Sequence, residues 1–173
     1  MNFLVRPIAS PEIAALYGVC VAQARQPFFY ADLHAPDTVD GRFDLLIAHV
    51  LLVIQRLQAH PKETQQLFDI LFADMDKNLR ELGVSDIRIS KKMKPLLSAF
   101  YGRAKVYEEA LAKTDETLAD ALRRNIYGAT PAAPDDVQRL TAYIRSAHAA
   151  LAAQKTDDLL SGEMSFPSVA QNG

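Results

Sequence analysis

The sequence predicts an all-α protein, a single domain of about six helices, and three observations carry that reading. Apolar residues recur at three- and four-residue spacing in each long segment. Helix starts and stops are written in cap residues, prolines and glycines at the ends of those segments. Seven glycines and no tryptophan in 173 residues leave little material for a turn-rich β protein. The chain is 49% apolar and 23% charged, as soluble globular domains are.

Ser10-Pro11-Glu12 opens the first helix: a capping hydroxyl, a proline at the first helical position, then an acid beside the positive end of the dipole. This helix is expected to run to about Arg25, where Pro27 ends it. PFFYADLHAPDTVDG has no helical period, but Phe28, Phe29 and Tyr30 must fold back onto the body. The second helix, about 41–59, contains LLIAHVLLVI and is apolar nearly all round, hence central. That run is too short to span a bilayer, which needs about 20 residues. Pro61 opens a third helix with Leu67, Leu71, Met75, Leu79 and Leu82 on one face. Gly83 is its natural stop. VSDIRIS reads as a connector. Ser90 is then the expected cap of a fourth helix, with Pro95 near its first turn. A fifth helix is expected over about 115–127, stopping at Gly128, and a sixth over about 135–153. Residues 1–9 read as an arm, 10–160 as the helical domain and 161–173 as a tail, part docked and part loose.

The fourth helix carries two stripes. Leu96, Phe100, Arg103, Tyr107 and Leu111 form a bulky row. Ala99, Gly102, Val106 and Ala110 form a small row beside it. A mid-helix glycine costs about 1 kcal/mol relative to alanine, so Gly102 is expected to allow close approach of another helix, inside the domain or from a partner. Arg103, set among aromatic residues, needs a counter-charge. Asp74 and Asp76 are the expected internal candidates, and an incoming segment is the alternative.

Catalytic patterns are absent. There is no Walker loop, dinucleotide glycine motif, nucleophile elbow, HExxH or EF-hand. His34, His49, His60 and His148 lack metal-ligand spacing, and His49 reads as a satisfied core histidine. Asp32, His34, Asp37 and Asp40 share one loop whose oxygen ligands would suit a hard cation, but turn and cap duties account for them. Cys20 reads as a small buried core residue. No enzyme, cofactor or metal is expected. The net charge of −2 gives no general attraction to nucleic acid, and no specific nucleic-acid partner is expected. Local charge is different: Lys77, Arg80, Arg88, Lys91, Lys92, Lys94, Arg103 and Lys105 fall in one helix–connector–helix unit. Such a strip is either a solvated face or a contact for anionic headgroups, RNA or a membrane protein.

The runs PDTVDGRFDLL, DMDKNLRELGVSD and FYGR followed by Tyr107 resemble the ubiquinol–cytochrome c chaperone family over about residues 11–165. One departure is His34-Ala35, where many members carry Gly-Val. The resemblance implies a non-catalytic assembly factor whose client is newly made cytochrome b or another subunit of the bc complex. It also implies contacts with the ribosome or a small helper protein. The first residues do not follow the transit-peptide pattern, so a bacterial member is expected, working in the cytoplasm or peripherally at the inner face of the membrane. The client is expected on Asp76, Arg80, Lys91, Lys92, Lys94, Phe100, Tyr101, Gly102, Arg103 and Tyr107. A helical carrier holding a lipid or quinone in an enclosed apolar cavity is the competing reading. An open groove bordered by the lysines and Arg103 would favour the chaperone, and a deep closed cavity the carrier.

Overall fold

The second helix must be covered on every side, and this requirement arranges the rest. In the computed structural model, which describes residues 9–128 and 130–169, α1 spans Pro11–Ala24, α2 Val39–Arg56, α3 Pro61–Glu81 and α4 Asp86–Leu111. α5 spans Asp115–Leu122, α6 Pro134–Ala153 and α7 Thr156–Leu160. No strand occurs among the described residues. Every residue from Leu45 to Val53 is buried. α1, α3, α4 and α6 pack around α2. Residues 1–8 of the expected arm and 170–173 of the expected tail lie outside the described residues.

The one polar group in that buried run is His49, fully enclosed. Its Nδ1–H donates to the Leu45 carbonyl at 2.7 Å, so Nε2 accepts from the Tyr143 hydroxyl at 2.8 Å. Gln23 donates in turn to Tyr143 (3.0 Å) and to the Pro167 carbonyl (3.2 Å). One chain of hydrogen bonds thus ties α1, α2, α6 and the segment after α7. Phe29 and Phe166 close on the imidazole edge-to-face, with ring centroids 5.5 and 5.1 Å away. The expected satisfied core histidine is this residue, and Cys20 is likewise buried.

Two arginines close helix ends across the fold. Arg56 of α2 donates to the carbonyls of Leu151 and Gln154 at the end of α6 (2.9 and 2.8 Å). Arg145 of α6 donates to the Leu111 and Lys113 carbonyls at the end of α4. Each satisfies carbonyls that a helix terminus leaves without partners.

Several expectations need correction. PFFYADLHAPDTVDG is not wholly irregular: Phe28–Asp32 form a π-helical turn that buries Phe28 and Phe29. His34 follows with φ 51°, a backbone that favours glycine, and is held by a hydrogen bond between Nδ1 and the buried Asp136 carboxylate at 2.9 Å. VSDIRIS is not a connector. α4 begins at Asp86 with Ser85, not Ser90, in the cap position, because Ile89 is buried and commits the first turn to the body. Pro95 therefore lies well inside α4, where it has no N–H to offer the Lys91 carbonyl. Gly83 is the stop for α3, with φ 77° and the paired bonds Gly83 N–H to Arg80 and Val84 N–H to Leu79. A seventh short helix lies in the segment after α6.

Gly102 is also corrected. It is exposed, and a Cβ built on it meets nothing within 4 Å. No helix approaches there, so the close contact expected of the small row does not exist at this residue. The glycine that does permit close approach is Gly41, in the first turn of α2, where a Cβ would lie 2.1 Å from the Pro36 carbonyl oxygen. Gly41→Ala should therefore destabilise by about 1–3 kcal/mol in denaturant unfolding, because backbone must move. Gly102→Ala should stabilise by about 0.5–1 kcal/mol in the same measurement, since it adds helix propensity in open space.

Candidate functional site

The N-terminal half of α4 leans over the start of α2 and the end of α3. Between them lies an open groove of about 380 Å³. Phe43, Leu79, Pro95 and Leu96 form its apolar floor. Lys91, Lys92 and Arg103 line the α4 side, and Asp40 and Asp44 the α2 side. Phe43 and Leu79 are buried core residues, so the floor is a continuation of the core. Two other apolar pockets, of about 140 and 240 Å³, sit at α2–α4–α5 and at α1–α2–α3. Both fall below the roughly 300–1,000 Å³ usual for a site that buries a small molecule.

Arg103 does not pair with Asp74 or Asp76. Its Nη1 lies 2.7 Å from Asp44 Oδ1, and both side chains are about four-fifths buried (18% and 22% exposed). That buried Nη1 makes no aligned hydrogen bond, so the contact is an ion pair rather than a fork. Asp74 instead accepts from the Tyr17 hydroxyl at 2.7 Å, joining α1 to α3. Asp76 is held by Arg80 Nε at 2.7 Å, and Arg80 also reaches Asp86. Asp76 and Arg80 thus fasten the α3 end to the α4 start. Lys77 lies 3.8 Å from Glu81. Of the expected basic strip, Arg88, Lys91, Lys92, Lys94 and Lys105 have no acidic partner among the described residues.

The structure divides the expected site. Lys91, Lys92 and Arg103 line the groove. Phe100 and Tyr107 are 3% and 6% exposed, and they are core residues. Phe100 stacks edge-on against Phe68 and Phe72, with centroids 5.2 and 5.7 Å apart. Lys94, Tyr101 and Gly102 are exposed and do not line the groove. Phe43, Asp44 and Leu79 belong to the site but were missed. The signal for Phe43 and Asp44 was the GRFDLL run, which reads as core because Phe43 and Leu45 are core, and Leu79 reads simply as part of the apolar face of α3.

Burial pushes the Asp44 carboxyl up from 3.8 to about 6, against the pull of Arg103. Burial pushes His49 down from 6.5 to about 4. The two act oppositely on stability. Asp44 binds more protons folded than unfolded, so it favours folding below about pH 4 and loses that contribution as pH rises through 6. His49 binds fewer protons folded, so its contribution is present above 6.5 and lost as pH falls to about 4.

The described residues form an all-α body with an apolar, charge-rimmed groove on one side. No group of three or more acidic, His or Cys residues among those described could hold a metal ion. The chain belongs to the ubiquinol-cytochrome C chaperone family, whose pattern it matches over residues 31–166. It is similar to ubiquinol-cytochrome c reductase complex assembly factor 1 of Mus musculus, 27% identical over 93% of this chain and 57% of that protein. It is also similar to the mitochondrial protein CBP3 of Saccharomyces cerevisiae, 32% identical over 58% of this chain and 32% of that protein. The crystal structure of the Cbp3 homolog from Brucella abortus superposes with a TM-score of 0.83, 35% identical, covering 93% of this chain and 91% of that one. The chain spans little more than half the length of its mouse and human relatives.

Two outcomes follow for the ion pair. Arg103→Leu should cost about 3 kcal/mol in denaturant unfolding by stranding Asp44, and the double change with Asp44→Leu should recover most of it. Asp44→Asn should remove a stability difference of up to about 3 kcal/mol between about pH 4 and about pH 8. The variant's stability should then fall more steeply toward acid than the wild type's, because the His49 slope is no longer opposed.

Proposed function

We propose that the chain is a non-catalytic assembly chaperone for ubiquinol–cytochrome c reductase, and that the α2–α3–α4 groove receives a segment of newly made cytochrome b or another membrane subunit. The names of the mouse and human relatives as assembly factors of that complex support the reading. The observation that carries it here is the groove itself: an apolar floor of Phe43, Leu79, Pro95 and Leu96, with Lys91 and Lys92 on one wall, Asp40 on the other, and the Arg103–Asp44 pair bridging the two.

Such a groove suits an amphipathic helix. The apolar face lies on Phe43, Leu79 and Leu96, and polar groups meet the two charged walls. Holding that face out of water suppresses aggregation of a subunit whose partners have not yet arrived. No bond is made or broken, and no cofactor is required. Exposed Lys91 and Lys92 set encounter rate and salt sensitivity. Arg103, already paired with Asp44, fixes the wall rather than serving as a free anchor. The chaperone acts where the subunit enters the membrane, at the cytoplasmic face in a bacterial host. The ribosome or a small helper protein is a further contact. No helix among the described residues is long and apolar enough to cross a membrane.

The test is site-specific photo-crosslinking in cells. A crosslinking residue in place of Lys92 or Pro95, at the groove edge, should capture cytochrome b or another subunit of the complex. The same residue in place of Ala142, exposed on α6, should not. Equal capture from both positions, or none from the groove, would refute the assignment.

A further inference from the structure

The outward face of α4 is unlike the rest of the surface. Positions 87, 91, 94, 98, 101 and 105 recur at steps of four and three, so they form one stripe along the helix. The stripe reads Ile87, Lys91, Lys94, Ser98, Tyr101, Lys105, and Leu97 stands beside it. Ile87 is 72% exposed, Tyr101 61% and Leu97 37%. Few other large apolar side chains are as exposed, and one of them, Leu82, sits at the α3 end just before α4. The lysines of the stripe have no acidic partner, while the nearby acids Glu81, Asp76 and Asp86 are engaged by Lys77 and Arg80. The charge along the stripe is therefore purely positive until Glu108 and Glu109 end it.

The geometry points to a membrane-docking face: this side of α4 binds the surface of a bilayer containing anionic phospholipid. Charge selects an anionic surface, and shape selects lipid over protein. None of Ile87, Leu97 and Tyr101 lines the groove or the larger pockets among the described residues. They are separate pegs on a convex face with lysines between them. A protein partner needs a shaped counter-surface for each peg, whereas the headgroup layer yields around them. Lysine, a point charge on a flexible stem, needs no fixed geometry at a phosphate. Tyr101 lies nearly parallel to Phe68, centroids 5.9 Å apart, and an amphipathic ring suits an interface. The helix would lie in the interface plane. The groove, on the adjoining side of the same helix, would then open beside the bilayer from which a membrane subunit is handed over. This extends the proposed function but rests on α4's own residues.

Flotation of the full chain with vesicles tests it without any client. The protein should float with vesicles of phosphatidylcholine mixed with phosphatidylglycerol, not with phosphatidylcholine alone, and added salt should weaken binding. Lys94→Gln with Lys105→Gln should weaken it about 25-fold, about five-fold for each charge. Ile87→Ser with Tyr101→Ser should weaken it about ten-fold at unchanged salt dependence. All four positions are exposed, so the lysine variant's melting curve should match the wild type, and the Ile87→Ser, Tyr101→Ser variant should lose only the Tyr101–Phe68 contact and stay folded at the temperature of the assay. No flotation, equal flotation with neutral vesicles, or flotation unaffected by both double variants would overturn the inference. So would loss of client crosslinking in detergent by Lys94→Gln with Lys105→Gln while vesicle binding is unchanged, which would give this face to a protein. Failure of the groove crosslinks with flotation intact would refute the client assignment alone.

Discussion

Everything in this fold answers to the burial of α2. A helix apolar on all sides cannot rest on a surface, so helices must surround it. Burying nine successive residues from Leu45 to Val53 also encloses His49. An imidazole there must be neutral and must use both nitrogens. The Leu45 carbonyl and the Tyr143 hydroxyl supply the two partners, and Gln23 satisfies the tyrosine in turn. The bundle is thus held in register by one directional chain within a non-directional core. A half-satisfied version of that chain would be worse than none.

The same packing makes α4 two-sided. Its inner row, Phe100, Tyr107 and Leu111, is core. Its N-terminal half lies beside the end of α3 and the start of α2, and the groove lies between the three. Pro95 sits at its edge, where the Lys91 carbonyl it leaves without an N–H partner can meet water or an incoming chain. The outer row is exposed, touching the body through Tyr101 on Phe68 and Lys91 at the groove, and carries unpaired lysines.

Charge pairing, rather than charge count, separates the two surfaces. Eight cations in one unit look like a continuous basic strip. Arg80 is spent between Asp76 and Asp86, Lys77 lies beside Glu81, and Arg103 is buried against Asp44. What is left is narrower and lies wholly on α4. Asp44 is the costly member: burial keeps its carboxyl near 6 despite the arginine, so near neutral pH the groove wall holds an ionised pair that is partly desolvated.

By itself the sequence determined the helices, the central place of α2, the buried roles of His49 and Cys20, and the family. Those properties rest on period, cap chemistry and runs of identity, all local along the chain. Gly83 as a stop and Ser10 as a cap were legible for that reason. The start of α4 was not, because Ser85 and Ser90 are equivalent locally, and only the burial of Ile89 decides between them. Tertiary structure alone decided the partner of Arg103, since Asp44, Asp74 and Asp76 are equally good carboxylates in sequence and differ only in position. It also decided which glycine is crowded. Gly102 looked constrained by its row yet faces open space, while Gly41 meets the Pro36 carbonyl across a turn. The groove was legible only on its α4 side. Its other wall is made where helix ends distant in sequence come together, and no local pattern records which residues will share a surface.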